Sequence, residues 1–370
     1  TFQEENAWWL DDYALFMAVK GFFQDECWDK WPEDIKKRYG YALDYYREQL
    51  YFEIEFQKYM QFEFSIQWKK LKAYANENGI RIIGDIPIYV AYDSADTWAH
   101  PELFQLDEEN VPLAVAGCPP DGFAADGQLW GNPLYRWDYH RQTGYAWWMQ
   151  RLSYAFYLYD VVRIDHFRGF DEYFSIPYGD TTARNGHWEK GPGIELFRRM
   201  KEVLGERDVI AEDLGYVTDS VRQMVFESGF PGMKVFEFAF DSRDTGCAGD
   251  YLPHNYPVNS VVYTGTHDNA TLIGWYQDIP KEGREMLRDY IHDYITSDRS
   301  LHWSVICRVM GSPARICMIP MQDYLGLDNT CRINTPSTLG TNWKWRLLDG
   351  EFTSDLQNKI KKLVRIYQRN

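Results

Sequence analysis

Three acidic side chains follow short apolar runs of this sequence, in settings where a carboxyl group can act in catalysis. Asp165 follows VVRI, Glu212 follows VIA, and Asp268 comes a few residues after SVVY. An ionised and oriented Asp can serve as a nucleophile. A Glu with apolar neighbours can have its pKa raised toward neutrality, which suits a general acid. Each carboxylate alone could equally be structural, as half of a buried ion pair, as a helix cap or in a local hydrogen bond.

Arg163 precedes Asp165 by two residues, so the alternation of a strand points both side chains to the same face. There the guanidinium can pair with a neighbouring carboxylate, which keeps the acid ionised and fixes its orientation. The alternative is a buried Arg–Asp pair that joins one strand to another. For Arg168, in the same segment, we expect a structural salt bridge.

Two histidines beside these carboxylates raise two other kinds of site. A metal ion would require His166, His267, Asp165 and Glu212 to converge, and no HExxH-type spacing supports that. A Ser-His-Asp hydrolase is also disfavoured, because the sequence has no GxSxG motif and no serine in a strand-end setting. We therefore predict no metal and no other cofactor.

Six short apolar, β-branched runs predict the strands that must position these groups. They lie at 80–90, 160–165, 208–213, 233–240, 260–268 and 314–321. Amphipathic helical patterns separate most of them, at 145–159, 194–205, 218–228 and 280–295. Strands that alternate with helices imply βαβ units and a parallel sheet with both faces covered.

The polar residues at the strand ends favour a barrel over an open, doubly wound sheet. In a βα barrel, reactive residues lie at the C-terminal ends of several strands, as GDIP, RIDHF, AEDLG and GTHDN suggest. No GxGxxG or GxxxxGK[ST] loop follows a strand, which weakens the nucleotide-binding alternative. We predict a single catalytic (β/α)8 TIM barrel domain over 1–370, with a helical insertion at 1–78 and a long loop insertion at 91–143 that covers the active site. Within the first, an amphipathic helix over 51–76 should end before Gly79 in a left-handed cap.

Composition limits the classes of partner. The 370 residues carry a formal net charge of −16, whereas a partner such as nucleic acid or a membrane surface would require a basic face. No apolar run approaches the length of a membrane span. The six cysteines form no CxxC pair, which fits reduced thiols and a cytoplasmic location better than a disulfide scaffold.

Together, three carboxylates at three barrel-strand ends favour glycosidase-type chemistry. Two carboxyl groups about 5–5.5 Å apart would form the nucleophile and acid/base of a retaining enzyme. Aromatic side chains near the strand ends suit stacking on sugars: Trp98, Phe123, Trp130, Tyr135, Trp137 and Trp188.

The motifs RIDHFRGF, AEDLG and GTHDN, with GDIPIYVAYDSADTWAHPELF and CPPDGFAADGQLWGNPLYRW, closely resemble those of the amylomaltases. These are 4-α-glucanotransferases of the α-amylase clan, and the resemblance extends over essentially the whole chain to GLDNTCRINTPSTLGTNWKWRL. It implies a barrel enzyme that cleaves α-1,4-glucans such as maltodextrins and starch through a covalent glycosyl–Asp165 intermediate. The glucan segment then passes, with retention, to the 4-OH of a glucose, maltose or maltodextrin acceptor, without a metal.

By this resemblance Asp165 is the nucleophile, Glu212 the acid/base, and Asp268 the carboxylate that steadies the transition state. The substrate-binding residues that it implies are Asp85, Gln128, Trp130, Arg163, His166, His267 and Asn269. We expect the loop CPPDGFAADGQLW to form a lid over the glucan.

Amylomaltases also carry a segment ahead of the helix WWLDDYALFMAVK that holds the first two barrel strands, so we expect this chain to lack them. Two alternatives stay open: an α-1,4-glucan hydrolase, and a catalytically silent, glucan-binding barrel fragment. We expect a monomer or homodimer.

Overall fold

The computed structural model describes residues 1–120, 125–215, 217–240, 248–336 and 338–369. The chain divides into two compact units. Unit 1 comprises Thr1–Glu212 and Asp219–Ser228, and unit 2 comprises Asp213–Thr218 and the residues from Gly229 onward.

Unit 1 contains helices, a set of parallel strands and an antiparallel sheet. Its helices are α1 (Phe2–Phe22), α2 (Glu33–Lys36), α3 (Gly40–Gln49), α4 (Tyr51–Glu77), α5 (Ala95–Ala99), α6 (Trp137–Gln142), α7 (Ala146–Leu158), α8 (Ile194–Leu204) and α9 (Asp219–Ser228). Its strands are β1 (Ile83–Ile86), β2 (Ala114–Cys118), β3 (Gln128–Pro133), β4 (Val161–Ile164), β5 (Glu172–Pro177), β6 (His187–Lys190) and β7 (Val209–Ala211).

Unit 2 follows the same alternation of strands and helices. Its strands are β8 (Gly232–Val235), β9 (Ser260–Tyr263) and β10 (Ile316–Met318). Its helices are α10 (Leu272–Asp278), α11 (Lys281–Ile291), α12 (Leu301–Met310), α13 (Met321–Leu325) and α14 (Ser354–Ile366).

The helix predicted over 51–76 is confirmed as α4, and Gly79 after it has φ 74°, the left-handed conformation that glycine adopts without strain. The helices predicted at 145–159, 194–205, 218–228 and 280–295 are present as α7, α8, α9 and α11. In α7 the buried residues Trp148, Met149, Leu152 and Ala155 recur at helical spacing, so one face of the helix packs inward.

All six predicted strands are confirmed, although each is shorter than its apolar run. In unit 1, β1, β4 and β7 pair in parallel, with Asp85 opposite Arg163 and Ile164 opposite Ala211. In unit 2, β8, β9 and β10 pair in parallel in that order. The carboxyl ends of parallel neighbours lie at the same edge, so each set brings together the residues that follow its strands.

A four-stranded antiparallel sheet, in the order β3-β2-β5-β6, was not predicted. Two of its strands, β2 and β3, lie within 91–143, together with α5 and α6. This segment therefore carries regular structure of its own where the sequence suggested a loop. Whether it covers the active site stays a prediction.

Each unit has its own apolar core. In unit 1, Phe16, Trp28, Trp31, Ile35 and Trp98 belong to one buried cluster. In unit 2, residues of β9, α10, α11 and α12 form another, including Val262, Leu272, Leu287 and Val305. Within the described part of the chain, no helix is both long and apolar enough to cross a membrane. Cys27, Cys307, Cys317 and Cys331 are free thiols, and Cys247 lies outside the described residues.

Candidate active site

Asp165 and Glu212 occupy equivalent positions at the ends of neighbouring strands. Asp165 directly follows β4 and Glu212 directly follows β7, and the last residues of the two strands, Ile164 and Ala211, are partners in the sheet. The backbone hydrogen bonds continue past the strands, because the amide of Asp165 donates to Ile86 O at 3.0 Å and that of Glu212 to Ile164 O at 3.1 Å. The two carboxylates are therefore next to each other at one sheet edge.

Arg163 connects two carboxylates. Its Nη1 donates to both carboxylate oxygens of Asp85, at 2.7 and 2.8 Å, and lies 3.0 Å from Oδ1 of Asp165. The Arg163 side chain is 9% exposed, whereas Asp85 and Asp165 remain about 40% exposed. Burial disfavours the guanidinium charge, but Asp85, Asp165 and Glu212 outweigh it and raise the pKa of Arg163 above its ordinary value. The same-face prediction for Arg163 and Asp165 is confirmed.

Glu212 is held against the loop that follows β4. Its Oε2 accepts a hydrogen bond from the backbone amide of His166 at 2.6 Å, and its carbonyl accepts one from Phe167 at 3.0 Å. Because His166 is adjacent to Asp165 in sequence, this bond fixes the Glu212 carboxyl group close to Asp165. One Glu212 oxygen is thereby oriented by the backbone.

His166 is a neutral side chain in an unusual backbone conformation. Its φ of 50° is in the left-handed region, which is uncommon for a residue other than glycine. Burial and the positive charge of Arg168 lower the pKa of His166 to about 3, so the imidazole is uncharged at neutral pH. Its Nε2 is buried and has no hydrogen-bond partner within the described residues. Such an atom in a candidate site is a position at which a ligand can supply the bond.

Trp130 and Gln128 lie in β3 beside this histidine. The Trp130 ring stands perpendicular to the His166 ring, with 4.8 Å between ring centroids, and its Nε1 donates to Gln128 Oε1 at 3.0 Å. Trp130 is 37% exposed, which leaves ring surface accessible. Part of the proposed lid, residues 121–124 with Gly122 and Phe123, lies outside the described residues.

Asp268 belongs to a second cluster, in unit 2. Its Oδ1 accepts a hydrogen bond from Asn334 Nδ2 at 2.5 Å, and its Oδ2 lies 3.1 Å from His267 Nε2. Arg332 donates to the Asp268 carbonyl at 2.6 Å. The side-chain oxygen of Asn269 accepts bonds from the amide and hydroxyl of Thr266, so Asn269 closes the loop locally.

Sequence reasoning missed Asn334 and Arg332, which contact Asp268, and Trp343, whose ring lies 5.1 Å from that of His267 between centroids. All three belong to the C-terminal motif GLDNTCRINTPSTLGTNWKWRL. The many polar and aromatic residues of this motif are the signal that could have indicated a role in the site.

The interpretation of the aromatic side chains as sugar platforms is wrong for three of them. Trp98 and Tyr135 are 1% exposed and Trp137 is 8% exposed, because their rings pack in the apolar core of unit 1. Trp188 is covered on one side by Arg168, whose Cζ lies 3.9 Å from the ring centroid. The salt bridge expected for Arg168 stays a prediction. Across the described ranges, no group of His, Cys, Asp or Glu side chains is arranged to hold a metal ion.

Comparison with known proteins identifies relatives that are 4-alpha-glucanotransferases. A profile of glycoside hydrolase family 77, described as 4-alpha-glucanotransferase, matches residues 1–351. The 4-alpha-glucanotransferase of Clostridium butyricum is 48% identical over 370 residues, which are 100% of this chain and 75% of the relative. That of Thermus thermophilus is 45% identical over 373 residues, covering 100% of this chain and 74% of the relative.

Solved structures agree. An amylomaltase from Streptococcus agalactiae in complex with acarbose has a TM-score of 0.94 and 39% identity, covering 99% of this chain and 73% of that one. The amylomaltase of Corynebacterium glutamicum, at 19% identity and a TM-score of 0.69, covers 97% of this chain and 54% of that one, and shows the fold alone. With the parallel strands of both units, these structures show an α/β barrel fold. Because the profile and the relatives align along nearly the entire sequence, this chain belongs to the amylomaltases, the 4-alpha-glucanotransferases of glycoside hydrolase family 77.

Proposed function

We propose that the 4-α-glucanotransferase activity of this chain proceeds through a covalent glycosyl–Asp165 intermediate, with Glu212 as acid/base. The observation that carries this proposal is the matched position of Asp165 and Glu212 on paired strands. Neighbouring strands lie about 4.8 Å apart, which suits the separation of about 5–5.5 Å between the two carboxyl groups of a retaining enzyme.

In the first step, Asp165 attacks the anomeric carbon of the donor glucose unit while Glu212 protonates the departing glycosidic oxygen. The C–O bond of the glucan breaks, a C–O bond to Asp165 forms, and the reducing-end segment leaves with the proton. In the second step, Glu212 takes the proton of an acceptor 4-OH, whose oxygen attacks the same carbon and releases Asp165. Two inversions give net retention, as in other retaining glycosidases.

Arg163 keeps the nucleophile ready for attack. A nucleophilic carboxylate must be ionised and correctly oriented, and a permanently charged guanidinium 3.0 Å from Asp165 Oδ1 supports both. The same Arg163 nitrogen holds Asp85, which leaves Asp85 oriented and partly exposed to contact the hydroxyls of the donor sugar.

His166, Trp130 and Gln128 form the other side of this donor subsite. A neutral imidazole with an unsatisfied, buried Nε2 suits a hydrogen bond to a sugar hydroxyl, without the repulsion that an imidazolium would add to an oxocarbenium-like transition state. The accessible face of Trp130 suits stacking on a glucose ring, and Gln128 holds its orientation.

Asp268 steadies the transition state through hydroxyls of the donor sugar, and His267 and Asn269 bind the donor beside it. The support is that Asn334 and His267 contact the Asp268 carboxylate while Arg332 holds the Asp268 backbone carbonyl, so the carboxylate is fixed before substrate arrives. We infer that the donors are α-1,4-glucans such as maltodextrins and starch, and that glucose, maltose and maltodextrins are acceptors.

Incubation with maltotriose tests this function. Transfer yields glucose together with a series of longer maltodextrins, whereas hydrolysis yields only products shorter than the substrate. Asp165→Asn should abolish turnover and leave glucan binding largely intact, and Glu212→Gln should lower kcat by about 10²–10⁴-fold.

A matched control is Asp208→Asn, because Asp208 is an exposed carboxylate immediately before β7, at the opposite end of the strand that Glu212 follows. Its kcat should equal that of the wild type. The proposal would be contradicted if every product were shorter than maltotriose, or if the Asp165→Asn enzyme were active.

A further inference from the structure

The loop that carries Asp268 is attached at both ends to one buried carboxylate. Residues 264–271 connect β9 to α10 and include His267, Asp268 and Asn269. Asp323, in α13, accepts a hydrogen bond from Thr264 Oγ1 through Oδ2 at 2.5 Å, and one from the Leu272 amide through Oδ1 at 2.8 Å. Thr264 begins the loop and Leu272 is the first residue after it.

We propose that Asp323 is a positioning residue for glucan transfer, which sets the location of Asp268 by fixing both ends of the 264–271 loop. Asp323 is 1% exposed and Thr264 is fully buried. Because it is buried, Asp323 acts through the loop and not by direct contact with substrate. The inference rests on the role proposed above for Asp268.

Stability alone does not account for a carboxylate at this position. Burying an ionisable group is costly, and replacing such groups by packed apolar residues is often neutral or stabilising. Burial raises the pKa of Asp323 to about 6, while the bonds from Leu272 and Thr264 oppose that rise, so the side chain is ionised at neutral pH. An ionised acceptor makes stronger hydrogen bonds than a neutral one, which suits an anchor that holds the Thr264 hydroxyl and the Leu272 amide.

The interior of the loop is also held, so a shift at either end moves the loop as one piece. Asn269 bonds to Thr266 within the loop. Asn334 and Arg332 hold Asp268 from the segment that follows α13. Asp323 belongs to the same stretch of chain as these two residues. Its hydrogen bonds therefore keep the loop correctly positioned relative to the donor groups of Asn334 and Arg332.

The C-terminal end of the loop has a second attachment. Thr271 caps α10 by accepting a bond from the Gly274 amide at 3.2 Å, and its own amide donates to Asn329 Oδ1 at 3.2 Å. At the start of the loop, the amide of Glu237 donates to the Thr264 carbonyl at 3.3 Å. Loss of Asp323 therefore loosens the loop ends without removing every support, so the variant should fold.

The test compares four variants with the wild type. For each, kcat and KM are measured in maltotriose disproportionation at a temperature well below its melting temperature, which is measured separately. In Asp323→Ala we expect kcat to fall about 10²-fold, the size of effect that a misplacement of about 1 Å produces. KM should stay close to that of the wild type, because the interaction lost belongs to the transition state. Asp323→Asn should recover most of the activity, since its Oδ1 can accept from Leu272 and its Nδ2 can donate to the Thr264 hydroxyl.

Thr264→Val is the second variant, because it keeps a similar side-chain shape and removes the hydroxyl that binds Oδ2 of Asp323. It decides the matter if Asp323→Ala does not fold. Its kcat should also fall with KM unchanged. Asp328→Asn is the matched control and should retain wild-type kcat. Asp328 is an exposed carboxylate in the same segment, and all hydrogen bonds described for its side chain come from Thr330.

A purely structural Asp323 would lower the melting temperature and leave kcat of the folded enzyme unchanged. Folded Asp323→Ala or Thr264→Val enzyme with wild-type kcat would therefore overturn the inference. Asp268→Asn, assayed in parallel, separates this from the proposed function: if it too has wild-type kcat, the role of Asp268 itself is wrong.

Discussion

At the scale of single residues, one guanidinium determines the state of the proposed nucleophile. Arg163 is positioned by the alternation of β4 and contacts Asp85 and Asp165 with the same nitrogen. The contact with Asp165 could be predicted from the sequence, because it depends on spacing within one strand, whereas the contact with Asp85 depends on the pairing of β4 with β1. Asn334 could not, since it lies 66 residues from the Asp268 that it contacts and no local pattern links the two.

Arg163→Lys should separate geometry from charge. A lysine keeps the positive charge, but its ammonium is a compact point charge on a flexible stem and lacks the planar guanidinium that places one nitrogen against both carboxylates. We expect kcat for maltotriose to fall by roughly 10²-fold, because Asp165 loses its orientation. Arg141→Lys, at a largely exposed pair with Glu195, is the control and should change kcat little. Equal kcat for both variants would show that charge alone is sufficient.

At the scale of elements, the parallel strands were predictable and the antiparallel sheet was not. The parallel strands are continuous β-branched runs that are buried on both faces, such as β4 and β7. The strand β2 reads AVAGC, which is short and rich in small residues, and its partner β5 is more than fifty residues further along the chain. Neither periodicity nor turn signals indicate such a pairing.

Packing between β1 and the end of α7 depends on the absence of a side chain at Gly84. A Cβ atom there would lie 2.0 Å from Cδ2 of Tyr159, whose ring also packs edge-on against Trp68. Gly84→Ala should therefore lower the free energy of unfolding by roughly 1–3 kcal/mol through overpacking. Chemical denaturation measures the effect.

Gly21→Ala is the matched control. Gly21 lies in α1, and a Cβ atom there would meet nothing within 4 Å. Alanine in a helix is favoured over glycine, so this variant should gain roughly 0.5–1 kcal/mol. Equal stability changes at the two positions would contradict the packing described at Gly84.

At the scale of the whole molecule, buried neutral histidines make stability depend on pH. Burial lowers the pKa of His140 to about 4, although the hydrogen bond between its ring and the Leu103 carbonyl favours the protonated form. Burial and the positive charge of Lys359 lower the pKa of His302 to about 4. Their folded pKa values are below the unfolded value of about 6.5. The unfolded chain therefore binds more protons between about pH 6.5 and 4, and stability falls as the pH drops through this window.

His140→Gln should flatten this dependence. The wild-type histidine contributes a loss of up to roughly 3 kcal/mol between pH 6.5 and 4, since one pKa unit corresponds to about 1.4 kcal/mol. The measurement is the melting temperature as a function of pH for each variant. His254→Gln, the same substitution at an exposed position, is the matched control. An unchanged slope in His140→Gln would contradict the assignment.

The proposed covalent bond between Asp165 and the donor sugar should be trapped in Glu212→Gln. With α-maltosyl fluoride as donor, fluoride leaves without acid assistance as Asp165 attacks the anomeric carbon. The second step lacks its general base, so the glycosyl-enzyme should accumulate. Mass spectrometry of the intact protein and of its peptides should show one maltosyl group, on the peptide that contains Asp165. A maltosyl group on another residue, or consumption of the α-maltosyl fluoride with no adduct, would contradict a covalent role for Asp165.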